Sequence, residues 1–280
     1  MKTILLPTDF SDNSWNAIQY ALNFYKHINC TFYLLHVNRL SDTITNDNVY
    51  LSTSDVIDEM YIKPSKKQLN KLLKKIATSF PENTKHTFYT ISDHNFFIDS
   101  VRKHVEEKKI DLIVMGTKGA SGLQKYILGT NTGDIITKVH CNTLVIPEQA
   151  KYTTVNEVAF PTDFLQFYGS HTLQPISDIL EQQEAAVRIL HINKKQKDLN
   201  EDQKQNKDFL EDYFSQYISS FHFLTNTKVE AAVQCFVESR NIDMIAMVAK
   251  NLNYFQQILF HNKVEDISYQ TTVPFLVLHE

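Results

Sequence analysis

The chain has 280 residues, 42% of them hydrophobic and 21% charged, with a formal net charge of −4. This is the composition of a folded globular protein long enough for one large or two ordinary domains, with no overall attraction to nucleic acid. Apolar runs only a few residues long exclude a membrane span, and the start, MKTILLPTDF, reaches Pro7 and Asp9 before a signal-peptide core can form, so a cytoplasmic protein is expected. Cys30, Cys141 and Cys235 are odd in number, widely separated and free of C-x-x-C spacing, which points to buried free thiols rather than a disulfide framework or zinc knuckle.

In chain order, Thr3-Ile4-Leu5-Leu6 reads as a buried strand that stops at Pro7-Thr8-Asp9-Phe10-Ser11, a turn feeding a helix. Residues 13 to 26 carry Ala17, Ile18, Ala21, Leu22 and Tyr25 at helical spacing. The run from Thr31 to Val37 is β-branched, aromatic and apolar, hence a second strand. Residues 38 to 62 are polar and aperiodic and read as a long, mobile excursion. Helical periodicity resumes over 63 to 78 through Leu69, Leu72, Leu73 and Ile76, with lysines on the other face. Strands follow at 87–91, 111–115 and 143–146, with helices at 96–107 and 130–139 between them. Such alternation builds a parallel sheet with helices on both faces.

The second half repeats the plan. Phe160-Pro161-Thr162-Asp163-Phe164 restates Leu6-Pro7-Thr8-Asp9-Phe10, and Ile189-Leu190-His191-Ile192 restates Leu34-Leu35-His36-Val37. From Asp111 onward the halves align without a gap, placing Asp243 to Met247 on Asp111 to Met115 and Val273 to Val277 on Cys141 to Val145. Two homologous domains are expected, 1–148 and 155–280. They differ in charge: up to Ala150 there are 17 basic and 15 acidic residues, and beyond it 11 and 17.

Only six glycines occur in the chain, and four of them, Gly116, Gly119, Gly122 and Gly129, fall within MGTKGASGLQKYILGTNT, with Gly133 just after. Glycine is needed where backbone takes positive φ or is closely approached, so this is not loop padding. Strand, glycine-bearing loop and helix N-terminus together make a site where unpaired N–H groups and the helix dipole favour an anion, phosphate above all. The counterparts of Gly116, Gly119, Gly122, Gly129 and Gly133 are Val248, Asn251, Tyr254, His261 and Glu265, so the second domain should fold alike but leave its pocket empty or filled by its own side chains.

These residues resemble the universal stress protein family over essentially the whole chain, as a tandem pair. The G-x2-G-x9-G-[ST] pattern of its ATP-binding members is met by Gly116, Gly119, Gly129 and Thr130, and the P-T-D-x-S opening by Pro7, Thr8, Asp9 and Ser11. The resemblance implies a doubly wound α/β fold in each half, a five-stranded parallel sheet ordered 3-2-1-4-5, with the ligand crevice between strands 1 and 4. It implies ATP, with or without Mg²⁺, as the ligand. Pro7, Thr8, Asp9, Val37 and Met115 would border the adenosine, Gly116 and Gly119 would admit ribose and α-phosphate, and Gly129, Thr130, Asn131 and Thr132 would donate to the outer phosphates, with Lys118 adding charge. The function it implies is a stress-response protein whose first domain binds ATP and switches an unknown protein partner. The alternatives are a nucleotide-independent scaffold or a slow ATPase. It also implies pairing of domains through their last strands, within one chain or between two.

Simpler roles compete at several of these positions. An aspartate after a strand is often a helix cap, and Asp163 persists where the glycines are lost, which favours that role for Asp9. His36 and His191 at equivalent strand ends suggest a shared structural hydrogen bond rather than catalysis. His86, His94 and His104 lack metal-ligand spacing. The lysine face at 63–75 reads as solvated, with docking of an acidic partner as the alternative, and Cys141 as core rather than a redox sensor. No nucleophile elbow, P-loop or dinucleotide fingerprint is present, so no catalytic residue is assigned.

Overall fold

The computed structural model describes residues 1–39, 54–80, 83–117, 130–193, 198–225, 229–249 and 273–280. The chain divides into two compact units, the first ending at Glu148 and the second beginning at Gln149. In the first, β1 (Lys2–Pro7), β2 (Cys30–Arg39), β3 (His86–Asn95), β4 (Leu112–Gly116) and β5 (Thr143–Ile146) form a parallel sheet ordered β3-β2-β1-β4-β5. The helices are α1 (Asp12–Phe24), α2 (Lys63–Ser79), α3 (Phe97–Lys108) and α4 (Thr130–Lys138). Steps β1-α1-β2 and β2-α2-β3 run one way along the sheet and the two later steps run the other way. Right-handed crossovers therefore put α1 and α2 on one face and α3 and α4 on the opposite one. On the latter face Leu5, Leu35, Ile113 and Met115 of the strands pack with Val101 and Ile135 of the helices.

The polar segment 38–62 does not match its expectation in full. Strand β2 runs on to Arg39, and helical turns at Ser54–Ile57 and a π-helical stretch at Asp58–Ile62 lead straight into α2, while 40–53 lie outside the described residues. Buried Ser65 anchors this entry: its Oγ lies 2.8 Å from the Tyr61 carbonyl, 3.0 Å from that of Ile62 and 2.5 Å from Ser92 Oγ, and it accepts from Asn38 Nδ2 at 3.1 Å. A hydroxyl-based anchor leaves no apolar periodicity to read. Strand β3 also outruns its apolar signal, because Ser92 to Asn95 keep their parallel register with His36 to Arg39.

The second unit has β6 (Glu157–Pro161), β7 (Ala186–Asn193), β8 (Ser219–Thr225), β9 (Met244–Val248) and β10 (Phe275–Leu278) in the order β8-β7-β6-β9-β10, again parallel. Its described helices are α5 (Ser170–Gln183), α6 (Glu201–Tyr213) and α7 (Val229–Arg240). Small devices recur in both units. Asp111 Oδ2 accepts from Thr3 N at 2.7 Å, as Asp243 Oδ2 does from Asn156 N and Glu157 N at 2.8 and 3.0 Å. Lys109 and Asn241, at φ 51° and 50°, end α3 and α7 in the left-handed region.

Burial raises the Cys141 thiol to about 12 and that of Cys30 to about 11, whereas Cys235 is exposed, against the expectation of three buried thiols. The thiolate is the reactive form. At pH 8 an aryl disulfide reagent should therefore titrate Cys235 alone in the native protein and all three cysteines after unfolding. Fast reaction of Cys30 or Cys141 in the native state would contradict their burial.

Candidate functional site

Strand order reverses between β1 and β4, so their carboxyl ends flank the switch point, the place where sheets of this type take ligands. The turn leaving β1 is held by its own side chains. Thr8 N donates to Leu35 O at 2.8 Å, Thr8 Oγ1 accepts from Phe10 N at 3.0 Å and lies 3.0 Å from Ser14 Oγ, and Phe10 takes a left-handed φ of 64°. Ser11 is the N-cap of α1, accepting from Ser14 N at 3.2 Å. Asp9 is not that cap: its Oδ1 accepts from Ser11 N at 3.1 Å and from Ser11 Oγ at 2.6 Å, so it braces the capping residue instead. His36 Nδ1 donates to Thr8 O at 2.8 Å, with its ring 4.5 Å from that of Phe10.

Across the crevice, Gly116 ends β4 against α1. A Cβ there would lie 2.6 to 2.8 Å from the side-chain atoms of Asn13, so close approach, not positive φ, requires the glycine. Thr132 Oγ1 donates to Gly116 O at 2.9 Å, and Thr132 is 2% exposed. That bond ties the first turn of α4 to the end of β4, and the first N–H groups of a helix have no partner within it. Thr130 is exposed and Asn131 half-buried beside it.

Nine of the twelve residues singled out from sequence thus gather at the carboxyl ends of β1, β2 and β4 and the start of α4. Lys118, Gly119 and Gly129 lie outside the described residues. Within the nine, several side chains are already occupied: Thr8 and Thr132 hydroxyls serve the backbone, and Met115 is buried in the core cluster with Val37 packed at its margin. Asn13, Ser14 and Phe10 were not legible as site residues. The Asn13 to Gly116 contact spans about a hundred residues of chain and has no local signature.

The second unit repeats the turn and closes it. Phe164 N donates to Thr162 Oγ1 at 3.0 Å, Leu165 N to Asp163 Oδ1 at 3.0 Å and His191 Nδ1 to Thr162 O at 3.0 Å, with Phe164 at φ 58°. Burial lowers the pKa of His191, which keeps it neutral in this role. The same histidine-to-carbonyl bond holds the turn in both units. Here, however, α6 lies over the turn: Gln203 Nε2 donates to Asp163 O and Asn206 Nδ2 to Phe164 O, each at 2.8 Å. Phe164 is 0% exposed and stacks on His191 at 4.9 Å, while Phe10 is only half-buried. Val248, buried, stands where Gly116 stands; positions 251, 254, 261 and 265 lie outside the described residues.

Away from the crevice, β3 and α3 share a polar knot. Asp93 Oδ2 accepts from Ser100 Oγ at 2.8 Å and from His104 Nε2 at 3.2 Å. Burial works against the charged carboxylate, but the Ser100 hydroxyl, the nearby Lys103 charge, the His94 amide and His104 outweigh it, so the Asp93 pKa falls below its ordinary value. A carboxylate with a depressed folded pKa contributes stability above its unfolded pKa and loses it as pH falls through the folded one. Protection factors of the amides in β3 and α3, which correct for the intrinsic pH dependence of exchange, should therefore fall below about pH 4, and Asp93→Asn should flatten that dependence. An unchanged pH profile in the variant would contradict the assignment. Among the described residues no group of three or more His, Cys, Asp or Glu is placed to hold a metal ion.

Fold and crevice define a doubly wound α/β protein whose candidate site lies at a topological switch point. A family model described as the Universal stress protein family matches residues 1–147, more than half of the chain, and the chain belongs to that family. A universal stress protein of Methanocaldococcus jannaschii is 30% identical over 150 residues, covering 54% of this chain and 84% of that one. The Bacillus subtilis universal stress protein YxiE is 25% identical over 146 residues, covering 51% and 97%. The crystal structure of a universal stress protein from Archaeoglobus fulgidus superposes with a TM-score of 0.68 over 98% of this chain and 95% of its own, at 18% identity, which is a likeness of fold alone.

Proposed function

We propose that the first unit binds one adenine nucleotide, ATP, in the crevice between β1 and β4, and that its occupancy controls a protein interaction during stress. The carrying observation is the bond from Thr132 Oγ1 to Gly116 O, which fixes a helix N-terminus beside a glycine strand end at the switch point. Amides at Thr130 to Thr132 would receive phosphate, with Lys118, Gly119 and Gly129 supplied by the connecting segment, and Val37 with Pro7 would border the base. Mg²⁺ would accompany the phosphates rather than sit in a protein cage, which suits an ion that keeps most of its waters. The second unit is read as a homologous partner, spanning 155–280, that has lost this site. Support comes from Val248 at the Gly116 position and from α6 lying over the turn. No acid, base or nucleophile is assigned, so any ATP cleavage would be slow.

Titration calorimetry with ATP should give one site per chain, and Gly119→Val should remove it. The competing reading, a scaffold indifferent to nucleotide, draws on the survival of the Pro-Thr-Asp-Phe turn in the unit that lacks the loop glycines. It prevails if Gly119→Val abolishes ATP binding and leaves the captured protein partners unchanged.

A further inference from the structure

The helical faces formed by α1 with α2 and by α5 with α6 are topologically equivalent and carry opposite charge. In the first unit Lys75 Nζ sits 4.0 Å over the Trp15 ring, joining α2 to α1. Helix α2 holds Lys63, Lys66, Lys67, Lys71, Lys74 and Lys75, all exposed, and no carboxylate; α1 holds only Asp12. Lys63 pairs with Glu59, just before the helix. Buried Leu69, Leu72 and Ile76 face the sheet, which at 100° per residue puts Lys67, Lys71 and Lys74 directly outward.

In the second unit, Ser177 Oγ donates to Tyr213 OH at 3.1 Å, joining α5 to α6. Helix α6 exposes Glu201, Asp202, Asp208, Glu211 and Asp212 against two lysines, Lys204 and Lys207, which pair internally with Glu201 and Glu211 at 2.7 Å. Helix α5 adds Asp178 and Glu181 and no lysine or arginine. With Leu210 facing the sheet, Glu201, Asp208 and Asp212 point outward.

We propose that these two faces are a matched pair, and that a second copy of this chain docks its α5/α6 face on the α1/α2 face of the first. A row of lysines spaced four apart repels itself within one helix, and an opposing carboxylate row relieves that repulsion. The net charge of −4 gives the chain no overall attraction to an extended polyanion such as nucleic acid or an acidic membrane, whereas a second copy brings an equal and opposite face. Every copy has both faces, so the contact is heterologous, one face of each copy meeting the other face of the next.

Sedimentation velocity of the full chain tests this across salt, from about 10 mM, where charges act over roughly 30 Å, to about 1 M, where the range is roughly 3 Å. Association above the 32.5 kDa chain is expected at low salt and should weaken at least about tenfold at high salt. The triple variant Lys67→Glu, Lys71→Glu, Lys74→Glu and the double variant Asp208→Lys, Asp212→Lys should each lose this association alone and regain it when mixed. Circular dichroism checks each fold, with glutamine or asparagine in place of the reversed charges if a variant unfolds. A monomer at low salt, a salt-insensitive mass, or association untouched by either variant would overturn the proposal. So would binding of phosphatidylserine vesicles or nucleic acid through the lysines by a chain that stays monomeric.

Discussion

Replacing Gly116 with valine, the residue at the matching point of the second unit, is expected to abolish ATP binding and to destabilise the first unit by about 1 to 3 kcal/mol. The first β-carbon atom would already stand 2.6 Å from the Asn13 amide nitrogen, inside any allowed contact. Asn13 is itself buried, so it cannot swing freely into solvent. The Asn13 side chain, α1 or the end of β4 must shift, and β4 carries the carbonyl that holds Thr132 and the start of α4. Adding Asn13→Ala should restore much of the stability by opening space, without restoring nucleotide binding, because the valine side chain would still narrow the crevice. Amide exchange resolved by peptide separates the two units, which a single unfolding curve for a two-unit chain does not. Unaltered exchange at the ends of β1 and β4 in Gly116→Val would show that the close approach is not a constraint.

The other large effect belongs to the second unit. Phe164→Ala should cost about 3 to 5 kcal/mol, the usual range for emptying a fully buried aromatic site, while Phe10→Ala at the equivalent place should cost less, about 1 to 2 kcal/mol, since that ring is only partly buried. Backbone strain cannot explain the contrast, because both residues take nearly the same positive φ, 64° and 58°. What differs is the cover: α6 donates two side-chain hydrogen bonds onto the Phe164 turn, and Phe221 and Phe223 lie within 6.5 Å of its ring. Amide exchange in β6 and β7 for one variant, and in β1 and β2 for the other, measures both. Equal losses would mean that the two turns are covered alike.

Much of this architecture was legible from residue pattern. Strands buried on both faces, such as Ile4-Leu5-Leu6 and Ile113-Val114, leave uninterrupted apolar runs, and the Pro-Thr-Asp-Phe repeat marks the same turn twice. Of the twelve residues named as a nucleotide site, nine lie at the carboxyl ends of β1, β2 and β4 and the start of α4, while Lys118, Gly119 and Gly129 lie outside the described residues. What the pattern did not disclose rests on polar groups. The helical turns before α2 depend on the Ser65 hydroxyl, and the role of Asp9 depends on Ser11 rather than on the helix amides. Contacts distant in sequence stayed hidden for the same reason. Nothing near Gly116 in the chain announces that Asn13 lies against it, or near Phe164 that Gln203 and Asn206 cover it.

A crystal structure of the full chain grown with ATP tests the central claim most directly. The expected result is a single nucleotide with its phosphates against the amides of Thr130 to Thr132 and its base near Val37, and none at the ends of β6 and β9. A nucleotide beside Val248 instead, or an unliganded first crevice at saturating ATP, would contradict it.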